Sequence, residues 1–228
     1  MFSDPAMRAA AREALDRGAI VRTVYEGRAD EAKGLLGPAL AWADGLRSPI
    51  EGRPRAAAPN GADMTLGTFT DRAELPEVAV LLAQQLEAAG FTVHQEVRQY
   101  AHIESDMLAG QFDAVILSRA TMLDSGDPVA YMYSDFACEG SFNIAQLCDP
   151  AVDEALARAA NLPTGPERRQ AIIEAEAAIL KTDAAVPMLH ERVIQGEAAR
   201  VDNAVRDPRE RELISEHTRL DATARQGG

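Results

Sequence analysis

The chain has no long apolar run, no excess of basic residues and few aromatic residues. None of its hydrophobic stretches approaches the roughly 18 residues that a membrane-spanning helix needs. The formal net charge of -13 argues against binding to nucleic acid or to an anionic membrane surface, because both attract basic patches. A cationic or zwitterionic ligand suits this charge better. The 228 residues, 46% of them hydrophobic, suffice to bury a substantial core.

The sequence also lacks the common motifs of catalytic sites. It contains no G-x-S-x-G, G-x-x-x-x-G-K-[ST], G-x-G-x-x-G or H-E-x-x-H pattern. The two cysteines, Cys138 and Cys148, do not have the C-x-x-C spacing of redox or zinc sites. We therefore expect a protein that is not an enzyme and that uses no cofactor.

The amino terminus lacks the basic, apolar and small-residue layout of a secretory signal. Instead, Asp4 and Pro5 predict the cap and the first position of a helix, where the missing N–H of proline costs nothing. We therefore expect ordered structure from the first residues onward, as one bent helix or two short ones over residues 4–26.

Hydrophobic periodicity predicts an α/β layer from Met64 onward, in which strands alternate with helices and the connections are right-handed. Strands are expected at 65–69, 91–97 and 112–117, and helices at 76–89 and 101–109. Two more helices and a short strand follow, at 151–160, 166–180 and 184–190.

Breaks in this periodicity indicate four regions. We expect a helical part at 1–36, a loop or linker rich in Gly and Pro at 37–63, an α/β lobe at 64–220 and a disordered tail at 221–228.

An acidic turn, Asp124-Ser125-Gly126-Asp127-Pro128, directly follows the predicted strand at 112–117. Ligands of open α/β sheets collect at the carboxyl ends of the strands, so this turn is the candidate binding site. Two carboxylates separated by Ser-Gly can both face one cavity. The alternative is that they accept hydrogen bonds from N–H groups of the turn, as Asp residues in such turns commonly do, and Pro128 favours a capping role for Asp127.

Several motifs together resemble the carboxyl-terminal lobe of the solute-binding proteins of peptide and nickel ABC importers, family 5. The acidic turn is followed by an aromatic residue and by C-x-x-x-x-N-x-x-x-x-C at 138–148. The segment from Arg8 to Val21, the R-A-E-L-P at 72–76 and the Q-x-L-x-x-x-G-F at 84–91 are similar to further blocks of that family.

The resemblance implies a periplasmic-binding-protein-like (type II) lobe, with a mixed, mainly parallel sheet flanked by helices. It implies an extracytoplasmic protein that captures a peptide or a nickel chelate between two lobes and delivers it to an ABC permease. The matched blocks belong to the carboxyl-terminal lobe, so we expect the amino-terminal lobe to be absent from this chain. The alternative is a ligand-sensing or regulatory interaction module built on the same lobe.

The resemblance also assigns individual residues. Asp124 occupies the position that pairs with the α-ammonium of a bound peptide, and Asp127, Tyr131, Asn143 and Arg119 are the further candidate ligand contacts.

In exported relatives the two cysteines that flank the asparagine are joined, which implies a disulfide between Cys138 and Cys148. Unpaired thiols are the alternative for a chain made in a reducing cytosol. The chain departs from the dipeptide binders at Leu75-Pro76-Glu77, where they carry the arginine that holds the peptide carboxylate, and this puts dipeptide specificity in doubt.

A metal site has little support. His102 and Asp106 stand four residues apart, which can place two ligands on one helix face, but no third ligand lies at short spacing, so a solvated face is the better interpretation. His190, after a predicted strand, is the one weak metal candidate.

Overall fold

The computed structural model describes residues 1–120, 126–207 and 212–221. Its helices are α1 (Pro5–Ala14), α2 (Arg17–Thr23), α3 (Ala41–Asp44), α4 (Glu74–Ala88), α5 (Tyr100–Leu108), α6 (Pro128–Phe136), α7 (Pro150–Asn161) and α8 (Pro166–Lys181). Its strands are β1 (Ala29–Glu31), β2 (Asp63–Phe69), β3 (Thr92–Arg98), β4 (Ala114–Val115), β5 (Leu189–Glu191), β6 (Val201–Asp202) and β7 (Arg219–Leu220). Within the described ranges, no helix combines the length and the apolar character needed to cross a membrane.

Capping residues determine where the first two helices begin. The Asp4 side chain accepts a hydrogen bond from the Ala6 N–H and Pro5 takes the first helical position, as predicted. The predicted segment at 4–26 forms two helices, because Leu15 has an extended backbone and Asp16 caps the second helix by accepting from the Ala19 N–H.

A three-stranded parallel sheet in the order β3-β2-β4 forms the centre of the α/β layer, which confirms the predicted strand-helix alternation. The strand predicted at 112–117 is shorter than expected, although backbone hydrogen bonds from Asp113 and Ile116 to β2 continue its pairing. Gly67 is required in β2, since a Cβ there would lie 2.8 Å from the ring of Phe112.

Strand β3 lies at an edge of this sheet, and its burial departs from the prediction. Phe91 is buried and Val93 is partly buried, but Val97, expected on the same buried face, is 40% exposed. The prediction is wrong for Val97, because the end of an edge strand has fewer neighbours to cover it.

The largest hydrophobic cluster lies outside the sheet, where α6, α7 and α8 pack together with α3. Helix α6 was not predicted, and α3 contradicts the expectation of uninterrupted loop at 37–63. Trp42 on α3 packs against this cluster, so the helical turn is held by an aromatic anchor. The buried side chains that define the cluster include Met132, Phe136, Val152, Leu156, Ile172 and Ile179.

The antiparallel pair β1-β5 joins the amino-terminal part of the lobe to the segment after α8. Strand β5 was predicted at 184–190. In the structure it is only three residues long and lies at the carboxyl end of that range. Strands β6 and β7 form a separate antiparallel pair near the carboxyl terminus.

Buried carboxylates connect these parts. Glu176 of α8 is 2% exposed, and its carboxylate accepts hydrogen bonds from the Leu36 N–H at 2.9 Å and from Arg47 Nε and Nη2 at 2.7 and 2.9 Å. Asp183, just after α8, accepts a hydrogen bond from Arg53 and forms an ion pair with Arg12, while its second carboxylate oxygen is buried with no hydrogen-bond partner in the described part of the chain. A charge can be buried at such positions only because it is paired and hydrogen bonded.

We predict that Glu176→Ala lowers the free energy of unfolding by about 3–5 kcal/mol, because it leaves Arg47 and the Leu36 N–H buried without their acceptor. The matched control is Glu174→Ala on the same helix, where the carboxylate is partly exposed and pairs with Arg158; its effect should stay within about 0.5 kcal/mol. Urea unfolding followed by circular dichroism measures both. Equal losses in the two variants would show that the buried pair contributes little.

Candidate functional site

The carboxyl ends of the three parallel strands meet at one edge of the sheet, and polar residues follow each of them. Asp71 follows β2, Tyr100 follows β3 and Arg119 follows β4. The Asp71 carboxylate accepts a hydrogen bond from the Tyr100 N–H at 2.7 Å, which ties the first two strand ends together. This sheet edge is where ligands bind in folds of this kind.

Arg119 forms a bidentate ion pair with Asp135 of α6. Its Nε and Nη2 each donate to the Asp135 carboxylate at 2.7 Å, and the Asp135 residue is only 6% exposed. Burial raises the pKa of Asp135, and the Arg119 guanidinium opposes that shift. Such a fork is the strongest geometry available to an arginine and carboxylate.

Aromatic rings surround the same guanidinium. Its carbon lies 4.2 Å from the centre of the Phe142 ring and 6.0 Å from that of Tyr131, within the range of cation–π attraction. The sequence prediction considered Arg119 as a partner for a ligand carboxylate. The structure places its fork on Asp135, with 36% of the side chain still exposed.

Tyr131 lies on α6, where its ring packs edge-on against Phe136 with 6.0 Å between centres. Burial raises the pKa of its hydroxyl group. Tyr133, two residues on, is 48% exposed, whereas Tyr131 packs against the largest hydrophobic cluster.

Asn143 lies in the loop that Cys138 and Cys148 close. The structure joins these cysteines in a disulfide. The Asn143 amide donates to the carbonyl oxygens of Ala137 and Leu147 at 3.0 and 2.6 Å, and its side-chain oxygen accepts from the Leu147 N–H at 3.1 Å. The amide therefore holds the loop in shape from inside.

Asp127 has two side-chain contacts with other described residues. Its carboxylate caps α6 by accepting from the Val129 N–H at 3.0 Å, and it accepts from Arg168 of α8 at 2.8 Å. The capping alternative considered from the sequence is thus realised at this position. Asp124, the leading candidate for ligand contact, lies outside the described residues.

A second polar cluster near the β2 end was not predicted. Arg72 donates to Glu74 at 2.7 Å and contacts Glu191, while the Tyr25 hydroxyl donates to Glu191 at 3.1 Å. The sequence carries a local signal only for the Arg72–Glu74 pair, two residues apart. Glu191 arrives from β5, more than one hundred positions along the chain, and only the fold brings it here.

The histidines do not form a metal site. Among the described residues, no group of three or more His, Cys, Asp or Glu side chains could hold an ion. Asp106 accepts from Arg98 at 2.7 Å, and His102 is exposed, so this helix face is solvated as expected.

His190 is partly buried between β1 and α8, and its Nε2 is buried without a hydrogen-bond partner. Burial lowers the pKa of His190, and Arg47 adds to the shift, while the Gly34 backbone, Glu176 and Asp30 oppose it.

Comparisons with known proteins agree with this fold. A family model described as "Bacterial extracellular solute-binding proteins, family 5 Middle" matches residues 1–143. A "Probable di/tripeptide-binding protein 5" of Pseudomonas aeruginosa (strain UCBPP-PA14) is 26% identical over 168 residues, which are 68% of this chain and 32% of that protein.

Solved structures share the architecture at lower identity. The dipeptide binding protein of Pseudoalteromonas sp. SM9913 in complex with Met-Leu has a TM-score of 0.76 and 22% identity, covering 90% of this chain and 43% of that one. NikA from Staphylococcus aureus in complex with Ni(L-His)2 has a TM-score of 0.74 and 16% identity, covering 95% and 48%. The chain thus spans about a third to a half of the length of these proteins.

We predict that the stability of the protein falls on acidification through His190. In the unfolded chain this residue binds a proton near its ordinary pKa of about 6.5, whereas the folded chain binds it only at lower pH. Between these two pKa values the unfolded chain carries more protons, so the free energy of unfolding decreases as the pH is lowered, by up to about 1.4 kcal/mol per pH unit. Above pH 6.5 the contribution is fully present.

The measurement is urea unfolding of the wild type and of His190→Gln between about pH 7.5 and 5, the range in which histidine titrates. His190→Gln should lose stability less steeply than the wild type on acidification. His102→Gln, which removes an exposed histidine from α5, is the matched control for the loss of a histidine. Parallel curves for all three proteins would contradict a role for His190.

Proposed function

Because the chain belongs to family 5 of the bacterial extracellular solute-binding proteins, we propose that it is the solute-binding component of an ABC importer. Its cargo is a peptide or a nickel chelate, and its described edge forms one wall of the cargo site. The second wall comes from another lobe, and the loaded protein delivers the cargo to an ABC permease outside the cytoplasm. The chain binds its cargo and does not transform it.

The observation that carries this proposal is the sheet edge at which three parallel strands end and at which Arg119 is fixed to α6. Ligands of open α/β folds bind at this position. The polar side chains of this edge are held in fixed conformations. Each of three has a hydrogen-bond partner: Asp71, Arg119 and Asn143. Preorganised polar groups of this kind lower the cost of ordering a site when a ligand binds.

Known relatives support the two cargo classes. The curated relative is named a di/tripeptide-binding protein, and the two solved structures hold Met-Leu and Ni(L-His)2. A free amino group or a metal cation complements an acidic protein, and the net charge of -13 favours the approach of such a cargo. The peptide and nickel classes both remain within the proposal.

We divide the candidate residues into two roles. Asp124 is proposed as the direct partner of the cationic end of the cargo, because it occupies the matching position in the acidic turn. Arg119 and Tyr131 form a cation–π pair, and the exposed part of the Arg119 side chain faces the cargo site. Asn143 holds the disulfide-closed loop and Asp127 holds the start of α6, both of which border that site.

We predict that Asp124→Asn lowers cargo affinity by about 1.5–3 kcal/mol in the protein with both lobes, because it removes one charge from a partly buried carboxylate–ammonium pair. Folding should barely change, since the amide keeps the shape of the side chain. Isothermal titration with a dipeptide or with nickel–histidine measures the effect.

The matched control is Asp127→Asn in the same turn. Asparagine is as good a helix cap as aspartate, so α6 should persist while the ion pair with Arg168 is lost. Its cargo affinity should stay close to that of the wild type. Equal affinity of Asp124→Asn and wild type would assign Asp124 to the structure of the turn and remove the proposed recognition.

A further inference from the structure

A cavity of about 190 Å³ lies between α3, the turn at Gly126–Pro128 and the first turns of α8. It is distinct from the sheet edge, since none of Asp71, Tyr100 or Arg119 lines it. Its walls are formed by Leu40, Trp42, Gly126, Pro128, Thr164, Gly165, Arg168, Arg169 and Ile172. The cavity is smaller than the roughly 300–1,000 Å³ of pockets for drug-sized ligands, so it suits a small molecule.

Among the residues that the structure describes, the lining combines apolar surface with positive charge and contains no carboxylate. This is unusual in a chain with 36 acidic and 23 basic residues. Arg168 is partly buried and held in place, with Nη2 donating to Asp127 at 2.8 Å and Nε to the Ala159 carbonyl at 3.1 Å.

Arg169 differs from its neighbour in having no fixed anionic partner. Its guanidinium carbon lies 5.5 Å from the centre of the Trp42 ring. In the described part of the chain it forms no ion pair with any Asp or Glu. The guanidinium is therefore held over the cavity by the indole ring while its hydrogen-bond donors stay available.

These features define the chemistry of a ligand. A guanidinium fork recognises a carboxylate through two parallel hydrogen bonds. The positive charge of Arg168, partly neutralised by Asp127, adds to the attraction. An indole ring with Leu40, Pro128 and Ile172 beside it favours a flat apolar group, which stacks on or packs edge-on to the indole. From the geometry we infer that this cavity binds a small aromatic carboxylate, at a place separate from the cargo site at the sheet edge.

The cavity is linked to the cargo wall through the Asp127 carboxylate. The same Asp127 carboxylate that pairs with Arg168 caps α6, the helix that carries Tyr131 and Asp135. A ligand carboxylate competes with Asp127 for Arg168. Asp127→Asn, which removes that competitor, should therefore tighten binding in the cavity.

The chain supplies its own reporter, because Trp42 is its one tryptophan. The 228-residue protein is titrated with phenylacetate while the tryptophan fluorescence is recorded, and calorimetry confirms the binding isotherm. We expect a saturable change with phenylacetate. Acetate, which lacks the ring, and benzylamine, which has the ring and the opposite charge, should produce none.

Variants separate a site from a surface effect. Arg169→Gln should weaken phenylacetate binding by about tenfold or more, because it removes the available fork, and Arg169→Lys should recover only part of it. Arg158→Gln, which removes an exposed arginine from α7, is the control and should bind as the wild type does. Arg169 is exposed, so its substitution leaves the fold intact, as circular dichroism can verify.

The inference is overturned if the response to phenylacetate rises without saturation, if benzylamine produces it equally, or if Arg169→Gln leaves it unchanged. None of these outcomes depends on peptide or nickel binding, so the cavity and the proposed importer function fail or stand separately.

Discussion

The buried ion pair between Arg119 and Asp135 determines how the candidate site is built. Asp135 lies on α6 with almost no exposed surface, and without the guanidinium its charge would be buried at a cost of several kcal/mol. Satisfying it draws the end of β4 against α6. The same guanidinium contacts Phe142, so the disulfide-closed loop is fixed to the sheet edge by the same residue.

This constraint shapes what the edge can offer to a ligand. Three of the four predicted contacts that the structure describes already have an internal polar partner: Arg119 has Asp135, Asn143 has Leu147, and Asp127 has Arg168. The fourth, Tyr131, packs its ring against Phe136. Their contribution to binding is to hold a rigid wall rather than to supply free charges. Under the proposed function, recognition of the cargo then falls to the acidic turn and to the opposing wall.

Much of the fold follows from local sequence. The parallel alternation of strands and helices and most helix limits could be predicted from periodicity, and Asp4-Pro5 begins a helix as expected. Asp149-Pro150 begins α7 by the same rule. Asp127-Pro128 carries the same signal and begins α6, which the sequence analysis left unassigned. The sequence predicted a capping role for Asp127 as an alternative to ligand contact, but not the length of the helix that it caps.

The candidate site is less predictable, for a physical reason. Asp135, the partner of Arg119, lies 16 residues along the chain, and Glu191, the distant partner of Arg72, lies 119 residues along it. No local sequence pattern predicts either of these two pairs. A residue type suited to ligand binding is equally suited to burial against another charge, and only the tertiary contacts decide between the two. Arg169 shows the opposite case, since nothing around it in the sequence distinguishes it from the paired Arg168.

The central claim is that this chain forms one wall of a two-walled cargo site. In such proteins closure excludes water from the polar pairs that hold the cargo, and on an open wall solvent screens them. Isothermal titration of the 228-residue chain with dipeptides and with nickel–histidine tests this most directly. The account predicts binding no tighter than about millimolar, or roughly 4 kcal/mol. Micromolar binding by this chain alone would contradict it, because the site would then be complete without a second wall.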